Sequence, residues 1–240
     1  MNPLVSCLTL IPLAAAALLP SAALAQSCEA RSAAQPPAIV ELYTSEGCSS
    51  CPPADRWLST LKGRSDVLAL AFHVNYWDRL GWPDRFATPA ITERQHLLAQ
   101  SSGSSYVYTP QVMHNGRDMR QWSGASLSRL PASKVALTLK REGNTVSASV
   151  GAGSGRLAGY WAVLEDGHSS RVKAGENAGE TLTHDHVVTA YKPLDAWTAG
   201  DAAKTFTLDL PAATAATRRV VFVVTDAASQ RPVQALALAC

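Results

Sequence analysis

The sequence predicts an α/β unit of order β-α-β-α-β-β-α over residues 38–131, followed by a β-rich, antiparallel, sandwich-like region. Three observations lead there. Short apolar runs alternate with helix-periodic stretches as far as Pro131. Asn115-Gly116 sits between two short strand-like runs, a strong local hairpin signal. Beyond Lys134 eight short runs follow one another at regular spacing, with Gly143-Asn144 and Asp166-Gly167 as tight turns.

Taken in order, Gln26 to Pro37 is rich in Ala, Ser and Pro and reads as a leader. Ile39–Tyr43 is a β-type run, and Ala54–Lys62 is helical, with Trp57, Leu58 and Leu61 on one side and Gly63 as the stop. Val67–His73 is continuously apolar, as expected of a strand buried on both faces. An aromatic loop, Asn75–Pro89, leads into a helix from Pro89 to Gln100 that ends at Ser101-Ser102-Gly103. Tyr106–Pro110, Gln111–His114 and Arg117–Gln121 are extended, and Ala125–Leu130 is amphipathic. The later strands fall at Val135–Arg141, Thr145–Val150, Gly159–Glu165, Ser170–Lys173, Thr181–Ala190, Lys204–Leu210, Arg219–Thr225 and Val233–Ala239.

Composition narrows the function classes. The 240 residues are 47% hydrophobic and 17% charged, with a formal charge of +2, so disorder is excluded and nothing calls for nucleic acid as partner. Leu4–Leu24 is apolar, broken by Pro12 and Pro20, and ends in Ala23-Leu24-Ala25. That pattern predicts a cleaved signal peptide over residues 1–25 and export to the periplasm or medium, with no stable membrane insertion after cleavage. Residues 26–133 and 134–240 are the two expected domains. Cys7 leaves with the signal, and Cys28, Cys48, Cys51 and Cys240 remain, an even number that fits an oxidising compartment. Cys48 and Cys51 form a C-x-x-C. A Cys28–Cys240 bridge would tie the termini together; free thiols or pairing between chains are the alternatives.

The chemistry centres on Glu41-Leu-Tyr-Thr-Ser-Glu-Gly-Cys-Ser-Ser-Cys-Pro-Pro-Ala-Asp55. A cysteine between a strand and a helix start lies near free backbone N–H groups and the positive end of the helix dipole, which favour a thiolate. Cys48 is then the attacking sulfur and Cys51 the resolving one. Pro52 and Pro53 suit a first helical turn, which asks the helix to begin near Cys51.

The chain resembles the thioredoxin superfamily and, more closely, the exported bacterial proteins grouped as domain-of-unknown-function family 1223. The resemblance rests on Val40–Asp55, on Phe72-His-Val-Asn-Tyr-Trp-Asp78 with Leu80-Gly-Trp82, and on Thr92-Glu-Arg-Gln95. Tyr108-Thr-Pro-Gln111, Gly175-Glu-Asn177 and Thr181-Leu-Thr-His-Asp-His-Val-Val188 complete it. It implies a thioredoxin-like fold for the first domain and a cis Thr109–Pro110 bond facing the C-x-x-C, with Thr109 presenting its backbone to an extended substrate. It also places Glu41 near a position where thioredoxins carry a proton-relaying acid, one residue off in spacing. Gly47 before the first cysteine and Ser49-Ser50 between the two depart from ordinary thioredoxins.

The aromatic loop follows a central strand, and ligands gather beyond the carboxyl ends of such strands. His73, Tyr76, Trp77, Trp82, Tyr108 and Gln111 are therefore candidate substrate contacts, with core packing as the plain alternative. His184 and His186, two apart on an expected strand, would share a face and could join Cys48, Cys51 or His73 in a metal site. Glu176-Asn177 is a turn by default, and its presence in the family-like block makes contact with the active face worth testing. No motif calls for a cofactor. The leading expectation is a thiol–disulfide oxidoreductase acting on a protein or small molecule that carries a disulfide or thiol. A soft-metal, Cu(I)-binding protein and a non-catalytic binding module are the alternatives.

Overall fold

The computed structural model describes residues 27–212, 214 and 216–240. The expected signal segment, residues 1–25, and Cys7 lie outside the described residues. β1 (Ser27–Arg31) is followed by β2 (Ala38–Thr44), α1 (Pro52–Ser59) and β3 (Val67–His73). A 3-10 turn at Asp78–Leu80 and α2 (Pro89–Ser101) lead to the hairpin β4 (Gln111–His114) and β5 (Arg117–Asp118). Then come β6 (Leu137–Glu142), β7 (Thr145–Val150), β8 (Arg156–Glu165) and β9 (His168–Arg171). β10 (Thr181–His184), β11 (Val187–Thr198), β12 (Lys204–Asp209), β13 (Arg218–Asp226) and β14 (Pro232–Leu238) complete the chain.

The expected fold class is corrected here. The described residues are mostly β, 42% strand against 11% helix, rather than a thioredoxin-like α/β domain beside a separate sandwich. One eight-stranded mixed sheet runs β14-β13-β8-β11-β3-β2-β4-β5, drawing four strands from each side of residue 134. The join is a parallel pairing of Val187 in β11 with Ala71 in β3. A four-stranded antiparallel sheet, β1-β6-β7-β12, covers its second half, and β9 pairs with β10 as a ribbon.

Pairing partners are invisible to hydrophobic pattern, which is why two sheets were expected where one continues. β8 is buried at nine of its ten positions, a profile of a central strand sandwiched on both faces rather than of an alternating sandwich strand. Other corrections are local. Ala125–Leu130 forms no helix, Tyr106–Pro110 forms no strand, and the supposed leader contributes β1, paired with β6.

Alternation along β2 and β3 separates two cores. Ile39, Tyr43, Leu70 and Phe72 face Ile91 and Leu98 of α2, together with Tyr160 and Val223. Val40, Leu42, Ala69 and Ala71 face Ala54 and Leu58 of α1. A third core, centred on Trp161 and Phe222 with ring centroids 4.6 Å apart, lies under the four-stranded sheet. Burying each such side chain contributes roughly 1.5–3 kcal/mol. Gly159 has to be glycine: a Cβ there would lie 2.6 Å from the Val223 carbonyl oxygen on the neighbouring strand.

Candidate functional site

The C-x-x-C lies where β2 hands over to α1. Cys51 is the residue before the helix, and Pro52 and Pro53 occupy its first two positions, where a missing N–H costs nothing. Cys48 and Cys51 form a disulfide, and a second disulfide joins Cys28 to Cys240. Both Cys48 and Cys51 are 0% exposed. The Thr109–Pro110 peptide is cis, and the Thr109 hydroxyl lies 3.3 Å from Cys48 Sγ. Ser50 Oγ is 3.4 Å from the same sulfur.

A turn from the second half of the chain closes over this segment. Asn177 Nδ2 donates to the carbonyls of Glu46 (2.9 Å) and Cys48 (3.0 Å). Glu176 accepts from the Ser49 backbone N–H (2.9 Å) and hydroxyl (2.8 Å), bonds that hold its carboxyl below the usual range. Gly175 takes φ +77°, a left-handed backbone that favours glycine, and packs beside Leu80, Trp82 and Gly47. Gly47 in turn rests on Trp77, whose Cβ would be 3.0 Å from an added Cβ.

The aromatic loop is tied to the same place. Trp77 Nε1 donates to Thr109 Oγ1 at 2.8 Å, so Trp77, Thr109 and Cys48 form one hydrogen-bonded line. Trp82 Nε1 donates to Glu46 Oε2 at 2.7 Å. Tyr76 reaches Gln95 (3.3 Å), and Gln95 Nε2 donates to the Tyr108 carbonyl and to Gln111 (2.9 Å each), bracing the segment that carries Thr109. The Tyr108 hydroxyl bonds Asp118 at 2.6 Å; burial and that carboxylate push the phenol well above its ordinary value.

Two expected site residues lie away from the sulfurs. Glu41 faces α2, not α1. It accepts from Arg94 (2.5 Å) and Tyr160 (2.6 Å) with Tyr43 nearby, and the Arg94 guanidinium sits 4.0 Å over the Tyr160 ring. His186 is separated from His184 by a turn: His186 has φ +59°, and the expected strand 181–190 breaks there into β10 and β11. The two histidines therefore do not share a face, because a left-handed residue ends strand alternation. His186 meets Asp166 and Arg219, and burial with Arg219 lowers it to about 4.

Below the disulfide is a buried polar group that sequence patterns only partly marked. His73 Nδ1 lies 2.7 Å from Asp84, and both side chains are 0% exposed. Burial lowers the His73 pKa, but Asp84 overrides it and the net direction is up. For Asp84 burial works upward, and His73 with backbone donors outweighs it. His184 Nε2 is 3.4 Å from Glu46 Oε1. Burial raises Glu46, while His184, Ser170 and Trp82 together bring it below its ordinary value. Asp55, held by the Thr44 hydroxyl at 3.0 Å, is raised by burial. Glu46, Asp55 and Asp84 were not singled out in sequence. Asp55 reads there as an ordinary acid in a first helical turn. Among the described residues, no group of three or more His, Cys, Asp or Glu is arranged to hold a metal ion.

The site thus defines a mostly β protein with a disulfide-closed C-x-x-C at a helix start, roofed by a turn from the second half of the chain. The chain belongs to the family described as protein of unknown function DUF1223, whose profile matches residues 39–225. Among solved structures, the crystal structure of a protein from Agrobacterium tumefaciens, a structural-genomics target, is similar at TM-score 0.63 and 27% identity, covering 84% of this chain and 93% of that one. HBP35 of Porphyromonas gingivalis shares the fold at TM-score 0.56 and 15% identity, over 85% of this chain and 75% of that one. No curated protein matches the chain.

Proposed function

We propose that the protein is an exported thiol–disulfide oxidoreductase working through Cys48 and Cys51. The observation that carries this is the line Trp77–Thr109–Cys48: a hydroxyl held by an indole N–H is presented to the first sulfur of a disulfide at a helix start. Such a hydroxyl stabilises a thiolate when the disulfide opens, as do the backbone amides of the turn. Two disulfides fit an oxidising compartment, and among the described residues no helix is long and apolar enough to cross a membrane.

Because Cys48 has no exposed surface, exchange requires the Gly175–Asn177 turn to move away from residues 46–49. The same burial favours a second reading, in which Cys48–Cys51 is an inert staple. One assay separates them. The oxidoreductase catalyses insulin reduction or the refolding of a scrambled disulfide protein, and Cys48→Ser abolishes that catalysis. If the wild-type chain is inactive in both directions, the staple reading stands.

A further inference from the structure

Ten buried side-chain polar atoms lack a hydrogen-bond partner among the described residues, and five of them gather behind the disulfide. They are Glu46 Oε1, His73 Nε2, Ser170 Oγ and both ring nitrogens of His184, with Glu46 Oε1 and His184 Nε2 facing one another at 3.4 Å without hydrogen-bond geometry. Unpaired buried polar atoms cost about 1–3 kcal/mol each, so such a concentration signals a role beyond packing. The titratable members come from five places in the fold. Glu46 lies on the β2–α1 loop, Asp55 on α1, His73 on β3, Asp84 on the loop before α2, and His184 on β10; none is more than 7% exposed. The His73 and His184 rings are 5.0 Å apart, and Asp84 also accepts from the Glu46 N–H at 2.8 Å.

Asp55 connects this group to the chemistry. Its backbone N–H bonds the Cys51 carbonyl at 3.2 Å, and a residue four further along a helix shares a face with the one it follows. It also opens toward solvent. A cavity of about 140 Å³ between α1 and β10 is lined by Pro52, Asp55, Arg56, Thr181, Thr183 and His184. Glu41, the acid that sequence reasoning favoured, is engaged with Arg94 on the opposite face of the sheet.

We propose that Asp55, backed by His184, is the proton donor and acceptor of Cys51, and that the α1–β10 cleft is its path to solvent. This rests on the thiol–disulfide reading above. With a dithiol as reductant, one substrate thiolate attacks Cys48 Sγ, the Cys48–Cys51 bond breaks, and its electron pair leaves on Cys51 Sγ. Asp55 gives that thiolate its proton and is reprotonated through the cleft by the proton the substrate thiol released. The second substrate thiolate attacks the substrate sulfur of the mixed disulfide, and Cys48 leaves and takes the second proton. The substrate loses two electrons and the protein disulfide gains them; oxidation of a substrate dithiol by the protein is this sequence, and reduction of a substrate disulfide is its reverse. Burial raises the Asp55 carboxyl, keeping a proton available at milder pH. His184 and His73 oppose that, Asp84 supports it, the Thr44 hydroxyl holds the carboxylate, and Arg56 stands at the cleft mouth.

The test follows dithiothreitol reduction of Cys48–Cys51 in the full chain across pH, by cysteine labelling and mass spectrometry, with wild type, Asp55→Asn and Thr183→Trp. Thr183 is exposed, so filling the cleft from there leaves the fold intact even if Asp55→Asn does not. The expected result is a slowing on the order of 100-fold in Asp55→Asn, with a flattened pH profile, and a slowing in Thr183→Trp. Wild-type rates and pH profiles in both variants overturn the proton role while leaving the redox reading intact. A wild-type chain that reacts with dithiothreitol but catalyses no exchange overturns the redox reading itself.

Discussion

Removing the side chain of Asn177 tests the roof over the disulfide. Asn177 is 6% exposed, and its amide makes both of the bonds that join the turn to the Glu46 and Cys48 carbonyls. Each such neutral bond contributes about 1 kcal/mol net, so Asn177→Ala costs about 2 kcal/mol. If the loss is confined to the turn, the population with the turn lifted rises about 30-fold, since each 1.4 kcal/mol is a factor of ten. Reduction of Cys48–Cys51 by dithiothreitol under native conditions reads that population through its rate, while urea denaturation reads global stability. The expected result is an acceleration of about 30-fold in reduction, with the denaturation midpoint falling by no more than the same ~2 kcal/mol represents. A midpoint that falls while the reduction rate stays at the wild-type value would refute the reasoning, because the cover of Cys48 would then lie elsewhere.

Other outcomes follow from the buried charges and the second disulfide. Arg94→Ala leaves Glu41 as an uncompensated buried carboxylate and is expected to cost about 3–5 kcal/mol in urea denaturation, whereas Arg94→Met with Glu41→Gln together costs much less. Asp55 has a folded-state pKa above its unfolded value, so its ionisation opposes folding at neutral pH. Asp55→Asn is therefore expected to raise stability at pH 7 by on the order of 1 kcal/mol, an advantage that vanishes below the unfolded pKa near 4. The His73–Asp84 pair behaves oppositely. The His73 contribution is full below about pH 6.5 and is lost as pH rises through its raised folded value. The Asp84 contribution is present above about pH 4 and is lost as pH falls through its lowered value. Wild type should thus gain most over Asp84→Asn between about pH 4 and 6.5, measured by thermal unfolding across pH. Cys28–Cys240 closes a separation of 212 residues, and Cys28→Ser with Cys240→Ser is expected to cost about 2–5 kcal/mol, read from urea midpoints.

Local chemistry was legible where one residue type has one physical use. Pro52 and Pro53 marked the start of α1, Asn115-Gly116 marked the β4–β5 hairpin, and the continuous apolar run 67–73 marked a central strand. Fold class was not, because it turns on which strand pairs with which. The parallel contact of Val187 with Ala71 that fuses the two halves has no signature in either segment. The break at Asp185-His186 was hidden for a similar reason: neither Gly nor Pro marks it, and only the left-handed backbone of His186 reveals it. Of the site, the residues around the sulfurs could be named, but their depth could not. Burial of Cys48 depends on Glu176 and Asn177, more than 120 positions away in the chain. Asp55 passed unnoticed because a helix-start acid is ordinarily a solvated one.

Trapping on a Cys51→Ser chain addresses the central claim most directly, since it removes the resolving sulfur and leaves Cys48 to hold what it captures. When such a chain is incubated with a disulfide-bearing protein, the Cys48 thiolate attacks that disulfide and releases one of its sulfurs as a thiolate, and the account expects a stable mixed disulfide that maps to Cys48 and is absent from Cys48→Ser. A Cys48 that stays unmodified in the folded variant, with its neighbours intact, would contradict it.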